Sequence, residues 1–142
     1  LSQNTSLTSL DVRRVPSMSD AFEALGDMLL LADSSSRLAH MRCDAFEVLE
    51  GEASLSLRER RLPRGAMRLL TGLLKNNTTV QKLDLAATGV EKAWAATLVG
   101  LLRLNPSLRS VHLDHNPDLD ASSQASLTAI IEECELDVAL HF

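Results

Sequence analysis

Residues 76–119 read NNTTVQKLDLAATGVEKAWAATLVGLLRLNPSLRSVHLDHNPDL. Within them Val80, Leu83 and Leu85 return as Leu108, Val111 and Leu113, each 28 positions on, and Asn77 returns as Asn105. The order is the same each time: a short apolar alternation, a turn, a helical stretch and an Asn-bearing return. Self-similarity at a period of about 20–50 residues marks one supersecondary unit stacked on copies of itself, because a single unit cannot bury its apolar face alone.

The period extends in both directions. Leu55, Leu57 and Leu62 lie 28 before Leu83, Leu85 and Val90, and Pro63 suits the first turn of a helix that runs to about residue 75 and buries Met67, Leu70, Leu73 and Leu74. Thr88 with Glu91 reads as a capping box before a helix carrying Trp94, Leu98, Leu101 and Leu102. Further on, Asn116 sits in a turn with one extra residue before Leu119. A helix from about 122 to 134 turns Leu127, Ile130 and Ile131 inward, and LDVALHF forms a last strand, with Leu136 placed 28 after Leu108.

Upstream, NTSLTSL at 4–10 parallels NTTVQKL at 77–83 and NPSLRSV at 105–111, with Asn4 in the place of Asn77 and Asn105. The first unit has TSLDV as its strand. Its helix, from 19 to about 32, shows Phe22, Leu25, Met28 and Leu29 on one face; Ser17 with Asp20 makes a weak capping box, and Ser19 or Asp20 could cap equally well. The second unit is irregular. Leu38, Met41 and Cys43 fill strand positions, yet the next strand arrives only 14 residues after Met41, at Leu55. A helix does not fit, so DAFEVLEGEA returns as an extended segment with a turn at Gly51, Phe46 and Leu49 cover the core edge, and the missing helix leaves a gap on the outer side that could serve as a second docking place. The units fall at about 7–35, 36–51, 52–79, 80–107 and 108–135, with a last strand over 136–142, as one domain. A chain that opens at a helix-to-strand return implies further repeats of the same chain upstream.

Composition agrees. The 142 residues include 28 leucines but only three Phe, one Trp and no Tyr, which suits evenly spaced layers filled by one side-chain size. A net charge of -5 with interspersed signs argues against nucleic-acid binding, which needs a concentrated basic surface. The longest apolar cluster, MLLLA at 28–32, is far below the roughly 18 residues of a membrane span. Cys43 and Cys134 stand 91 positions apart, with no ligand or framework spacing, which favours a reducing, cytoplasmic setting. Glycosylation acceptors at Asn4, Asn76 and Asn77 point the other way, but an Asn-Thr turn is what this repeat uses between helix and strand.

The pattern Leu-x-x-Leu-x-Leu-x-x-Asn/Thr followed by a helix of about three turns resembles the ribonuclease-inhibitor-like class of leucine-rich repeat, most clearly in VQKLDLAATGV and LRSVHLDHNPDL. That resemblance implies an α/β right-handed horseshoe of about five repeats, with a parallel sheet on the concave side, helices on the convex side and one repeat lacking its helix. Residues 76–113 also look like the leucine-rich segment of tropomodulin and leiomodin.

A strand alternates its side chains, so inward Leu83 and Leu85 turn Lys82, Asp84 and Ala86 to the concave side. Applied to every repeat, this gives columns of Ser9, His40, Ser54, Lys82 and Ser110; of Asp11, Arg42, Ser56, Asp84 and His112; and of Arg13, Asp44, Arg58, Ala86 and Asp114. Arg13, Arg42 and Arg58 gather near one end, and Asp84, His112 and Asp114 near the other. A polar, Arg-bearing face without pocket-forming glycines suits protein recognition. Its candidate contact residues are Asp11, Arg13, His40, Arg42, Ser56, Arg58, Lys82, Asp84, His112 and Asp114.

Other motifs carry less. His112 and Asp114 share a face, but His115 falls in the turn and no fourth ligand is near, so no metal is expected. RERRLPR at 58–64 is interrupted by Glu59 and by the core position Leu62, and it lacks stacking aromatics. Cys43 lies inward, where a small apolar residue belongs, and Cys134 at a helix end is buried or half-exposed. Trp94 is core packing or a partner-binding anchor. With no nucleophile elbow, phosphate loop or carboxylate pair, no catalytic residue and no cofactor are expected. The expected function is a non-enzymatic protein-protein interaction module or scaffold subunit of a larger intracellular assembly. The alternatives are an enzyme regulator of the GTPase-activating or inhibitor type, and an actin-capping protein.

Overall fold

The computed structural model describes residues 4–15, 18–31, 35–63 and 65–142. Strands alternate with helices along the chain: β1 Ser9–Asp11, a 3₁₀ turn Met18–Ala21, α1 Phe22–Leu30, β2 His40–Arg42, β3 Glu47–Val48, β4 Ser54–Ser56, α2 Ala66–Asn76, β5 Lys82–Asp84, α3 Lys92–Leu104, β6 Ser110–His112, α4 Ala121–Glu133 and β7 Ala139–His141. The result is an α/β protein whose parallel strands and covering helices are compatible with a leucine-rich repeat fold.

The 28-residue period appears as strand register. Ser54 pairs with Lys82 and Lys82 with Ser110, so equivalent residues of successive units stand side by side. The last step is 29, with Ser110 beside Ala139 and Val111 beside Leu140. The extra residue after Asn116 shifts the register, so Leu136 is not the equivalent of Leu108.

Every unit but the short second one turns the same corner. Arg14, Glu59, Ala87 and His115, each four residues beyond an inward strand residue, all adopt φ of 53 to 61°. None is glycine. Asn77 and Asn105 close the other end of their units: each side-chain oxygen accepts from two backbone amides, those of Thr79 and Val80 at 2.9 Å and of Ser107 and Leu108 at 2.7 and 2.9 Å. Asn116 bridges neighbouring units, donating to Leu85 O and accepting from the Gly89 and Val90 amides. These buried amides satisfy backbone that no ladder reaches.

The expected single sheet is in two pieces. β1 and β2 are parallel and β3 returns antiparallel on β2, while β4, β5, β6 and β7 form a separate parallel sheet. The cause is the short second unit. With Leu55 only 14 positions after Met41, the chain turns at once through Asp44 and Ala45 and runs back as an extended segment, as expected. The residues that seal the core there are Phe46 and Val48, with Leu49 half-buried.

The gap expected on the helical side does not exist. α1 lies directly on α2, closing the space that a second-unit helix would occupy. Two glycines permit this approach. A Cβ on Gly26 would lie 2.5 Å from Arg68 C and Leu69 N, and one on Gly72 would lie 2.7 Å from Leu29 Cβ. Flanked by α1 and α3, α2 is buried almost all round, including Leu69, Thr71 and Gly72 beyond its expected inward face.

Helix starts differ from expectation. Thr88 is buried and donates to Leu85 O at 2.7 Å, and Glu91 makes no side-chain cap on α3; the pair is not a capping box. The cap that forms is Asp120, which accepts from Ser123 N at 2.8 Å and Ser123 Oγ at 2.7 Å. Ser17 lies outside the described residues, and α1 starts after the 3₁₀ turn without a side-chain cap. Cys134 is exposed.

Candidate functional site

The strands present alternate residues away from the helices: Ser9 and Asp11 on β1, Glu47 on β3, the even-numbered residues on β2, β4, β5 and β6, and Ala139 and His141 on β7. On the four-stranded sheet, Ser56, Asp84, His112 and His141 form a row across β4 to β7. Arg58 reaches over it, its Nε 3.0 Å from Asp84 Oδ2, and Ser56 Oγ donates to the same oxygen. Burial pushes the Asp84 carboxyl up, but hydrogen bonds from the Ala86 amide and Arg58 outweigh this and hold it below the usual carboxylate range.

At the far side of the row, the His112 ring stacks on His141 with centroids 4.2 Å apart, and its Nε2 lies 3.2 Å from Ser110 Oγ. Asp114 Oδ2 lies 3.7 Å from His112 Nδ1. Lys82, exposed, borders the row between Ser54 and Ser110.

The three-stranded sheet carries a second polar group. Arg13 grips Asp11 with 2.6 Å between Nη2 and Oδ2, and its other nitrogen lies 3.8 Å from Glu47. This hydrogen bond holds the Asp11 carboxyl at about 2. Arg42 lies 3.9 Å from Glu47, and His40 stands beside Ser9.

The ten candidates thus form two groups: Asp11, Arg13, His40 and Arg42 on one sheet, and Ser56, Arg58, Lys82, Asp84, His112 and Asp114 on the other. The five-residue columns break between His40 and Ser54. The expected separation of basic and acidic ends is not realised, because Arg13 and Arg58 are each neutralised by an aspartate. Ala86, placed on this face from sequence, is fully buried. Glu47 and His141 were missed. The extra residue after Asn116 was the available signal for His141, since it sets His141 29 positions after His112.

His115 stands exposed in the turn, as expected, and its backbone there is left-handed. Cys43 is buried, its thiol pushed up by burial and donating to Phe46 O at 3.2 Å. Trp94 is half-buried and packs on the core while one face lines a cleft of about 690 Å³ with Glu59, Arg61, Glu91 and Asp118. Of the glycosylation acceptors, Asn77 is buried and Asn76 donates to Ser36 O and Leu38 O. Among the described residues no helix is long and apolar enough to cross a membrane.

This geometry is that of a repeating α/β unit with a polar, ion-paired strand face. No family model matches the chain. The chain is similar to a ribonuclease inhibitor of Mus musculus, 36% identical over 89 residues that cover 59% of this chain and 20% of that protein. The chain thus spans about a fifth of the length of that relative.

Proposed function

We propose that this chain is a non-catalytic leucine-rich repeat module, one domain forming part of a right-handed horseshoe, that binds a protein partner through its concave strand face inside a larger intracellular assembly. The observation that carries this reading is the in-register row Ser56, Asp84, His112 and His141 with Arg58 clamped across it. Such a face is pre-organised for hydrogen bonding. The similarity to a ribonuclease inhibitor supports protein binding, and two cysteines free of disulfides are in keeping with a reducing compartment.

The test uses the partner identified by crosslinking the native assembly. Charge reversal at Arg58 and Asp84, or at Arg42, is expected to weaken its binding at least tenfold. Unchanged affinity for all three variants would sink the concave-face reading. A second reading, inhibition of a ribonuclease, is favoured by the relative alone. It predicts loss of RNA cleavage when the chain is added in stoichiometric amount to a secreted ribonuclease, and undiminished cleavage removes it.

A further inference from the structure

The break between the two sheets leaves two strand edges facing one another. On β4 the odd residues serve β5: Ala53 O accepts from Gln81 N and Lys82 N, and Leu57 N donates to Asp84 O. Backbone groups alternate sides along a strand. The N–H and C=O of Ser54 and Ser56 therefore point the other way, toward β3. On the opposite wall, Cys43 N bonds to Phe46 O across the β2–β3 hairpin and Val12 N to Arg42 O, which turns the N–H and C=O of Glu47 away from β2, toward β4. Between these edges lies a cleft of about 510 Å³ reaching from Glu52 at one end to Arg60 at the other.

We propose that this cleft accepts one extended segment of a partner protein as the strand that joins β3 to β4, making a continuous sheet. An extended backbone is the chemical complement of two rows of unladdered donors and acceptors. The short second unit supplies β2 and then β3, which runs back antiparallel and ends its sheet, so among the described residues no strand pairs with the outer edge of β3 or of β4.

The walls also specify the segment's side chains. Under the cleft, Cys43, Leu55 and Leu57 are 3%, 5% and 1% exposed, so the floor is closed and inward positions take small residues. Outward positions meet Asp44, Glu47 and Glu52. Arg13, which also lines the cleft, is already held by Asp11 and Glu47. Arg60 stands at one end and Glu47 is shared with Arg13 and Arg42, so the remaining acidic excess, Asp44 and Glu52 over Arg60, selects lysine or arginine there. It also disfavours the edge of a second copy, which would bring the same carboxylates face to face. The segment is thus small and basic in alternation, over about three to five residues.

This site shares Ser56 with the row at Asp84, using its backbone where the row uses its side chain, and its test separates the two readings. The probe is a capped pentapeptide of alternating lysine and alanine, with amide hydrogen exchange of the full chain as the readout. Saturating peptide is expected to slow exchange at Ser54, Ser56 and Glu47 at least tenfold, while Leu55 and Leu57, already bonded to β5, stay unchanged. A peptide of the same sequence with alternate amides N-methylated keeps its charge and loses its donors, and gives no protection. Ser54→Pro, a strand-start position where proline is tolerated, loses at least tenfold in peptide affinity, whereas Asp84→Lys does not. The proposal is overturned if those amides do not respond, if the N-methylated peptide binds equally well, or if a concentration-dependent dimer protects the same amides without peptide.

Discussion

Asn105 makes four hydrogen bonds from a nearly closed site. Its Nδ2 donates to Leu74 O at 2.5 Å and Asn77 O at 3.1 Å, and its Oδ1 accepts from the Ser107 and Leu108 amides. Leaving such buried groups unpaired costs about 1–3 kcal/mol, so Asn105→Ala is expected to lower unfolding stability by about 2–3 kcal/mol in urea titration. Asn4 closes the same turn, accepting from the Ser6 and Leu7 amides, but it is exposed, and Asn4→Ala is expected to cost less than about 1 kcal/mol because water replaces the lost acceptor. Two carboxylates set a pH response. Asp11 and Asp120 are held at about 2, by Arg13 and Ser123 respectively, against an ordinary 3.8. A depressed native value contributes stability that is complete above the unfolded value and is lost as pH falls through the native one. Thermal midpoints are therefore expected to fall between about pH 4 and pH 2, and Asp120→Ala to flatten part of that fall. The recurring asparagines were legible because the spacing repeats a rare residue at a turn. The left-handed residues Arg14, Glu59, Ala87 and His115 were not, since each lacks the glycine that normally signals positive φ.

The contact between α1 and α2 is decided by which glycines lie in it. Gly26→Ala drives a methyl into the backbone of Arg68 and Leu69, which the rigid helix cannot avoid, and is expected to cost about 1–3 kcal/mol as overpacking. Gly100, also helical, has no atom within 4 Å of an added Cβ. Gly100→Ala is expected to stabilise by up to about 1 kcal/mol through helix propensity. Chemical denaturation of both variants checks the pair, and a Gly26→Ala protein as stable as the parent would mean that α1 and α2 do not touch. Strand positions and helix spans were readable from apolar spacing, because periods near 2 and 3.6 are local properties. The closing of α1 onto α2 was not. It depends on two residues far apart in sequence meeting without side chains, and a helix interior marks such glycines only as weak points.

At the scale of the molecule, the two sheets share one core. Phe22 of α1 meets Phe46 of the hairpin with ring centroids 6.0 Å apart, and Leu29 packs against Gly72 of α2. The split sheet is therefore held together from the helical side while its strand edges stay unjoined. The break could not be read from the 28-residue period, because a missing helix shows only as a short interval and says nothing about where the sheet parts. In a stack of units each layer leans mainly on its neighbours, so local stability follows the number of covered faces. β5 has a strand on both sides and lies beneath helices flanked on both sides, whereas β7 has one neighbour and the half-buried Leu136, Val138 and Leu140 beneath it. Native-state hydrogen exchange is expected to be slowest at the Leu83 and Leu85 amides and faster by about tenfold or more at the Ala139 amide, which donates to Arg109 O. Uniform protection across β4 to β7 would mean that the units open together. The units would then form a single cooperative block.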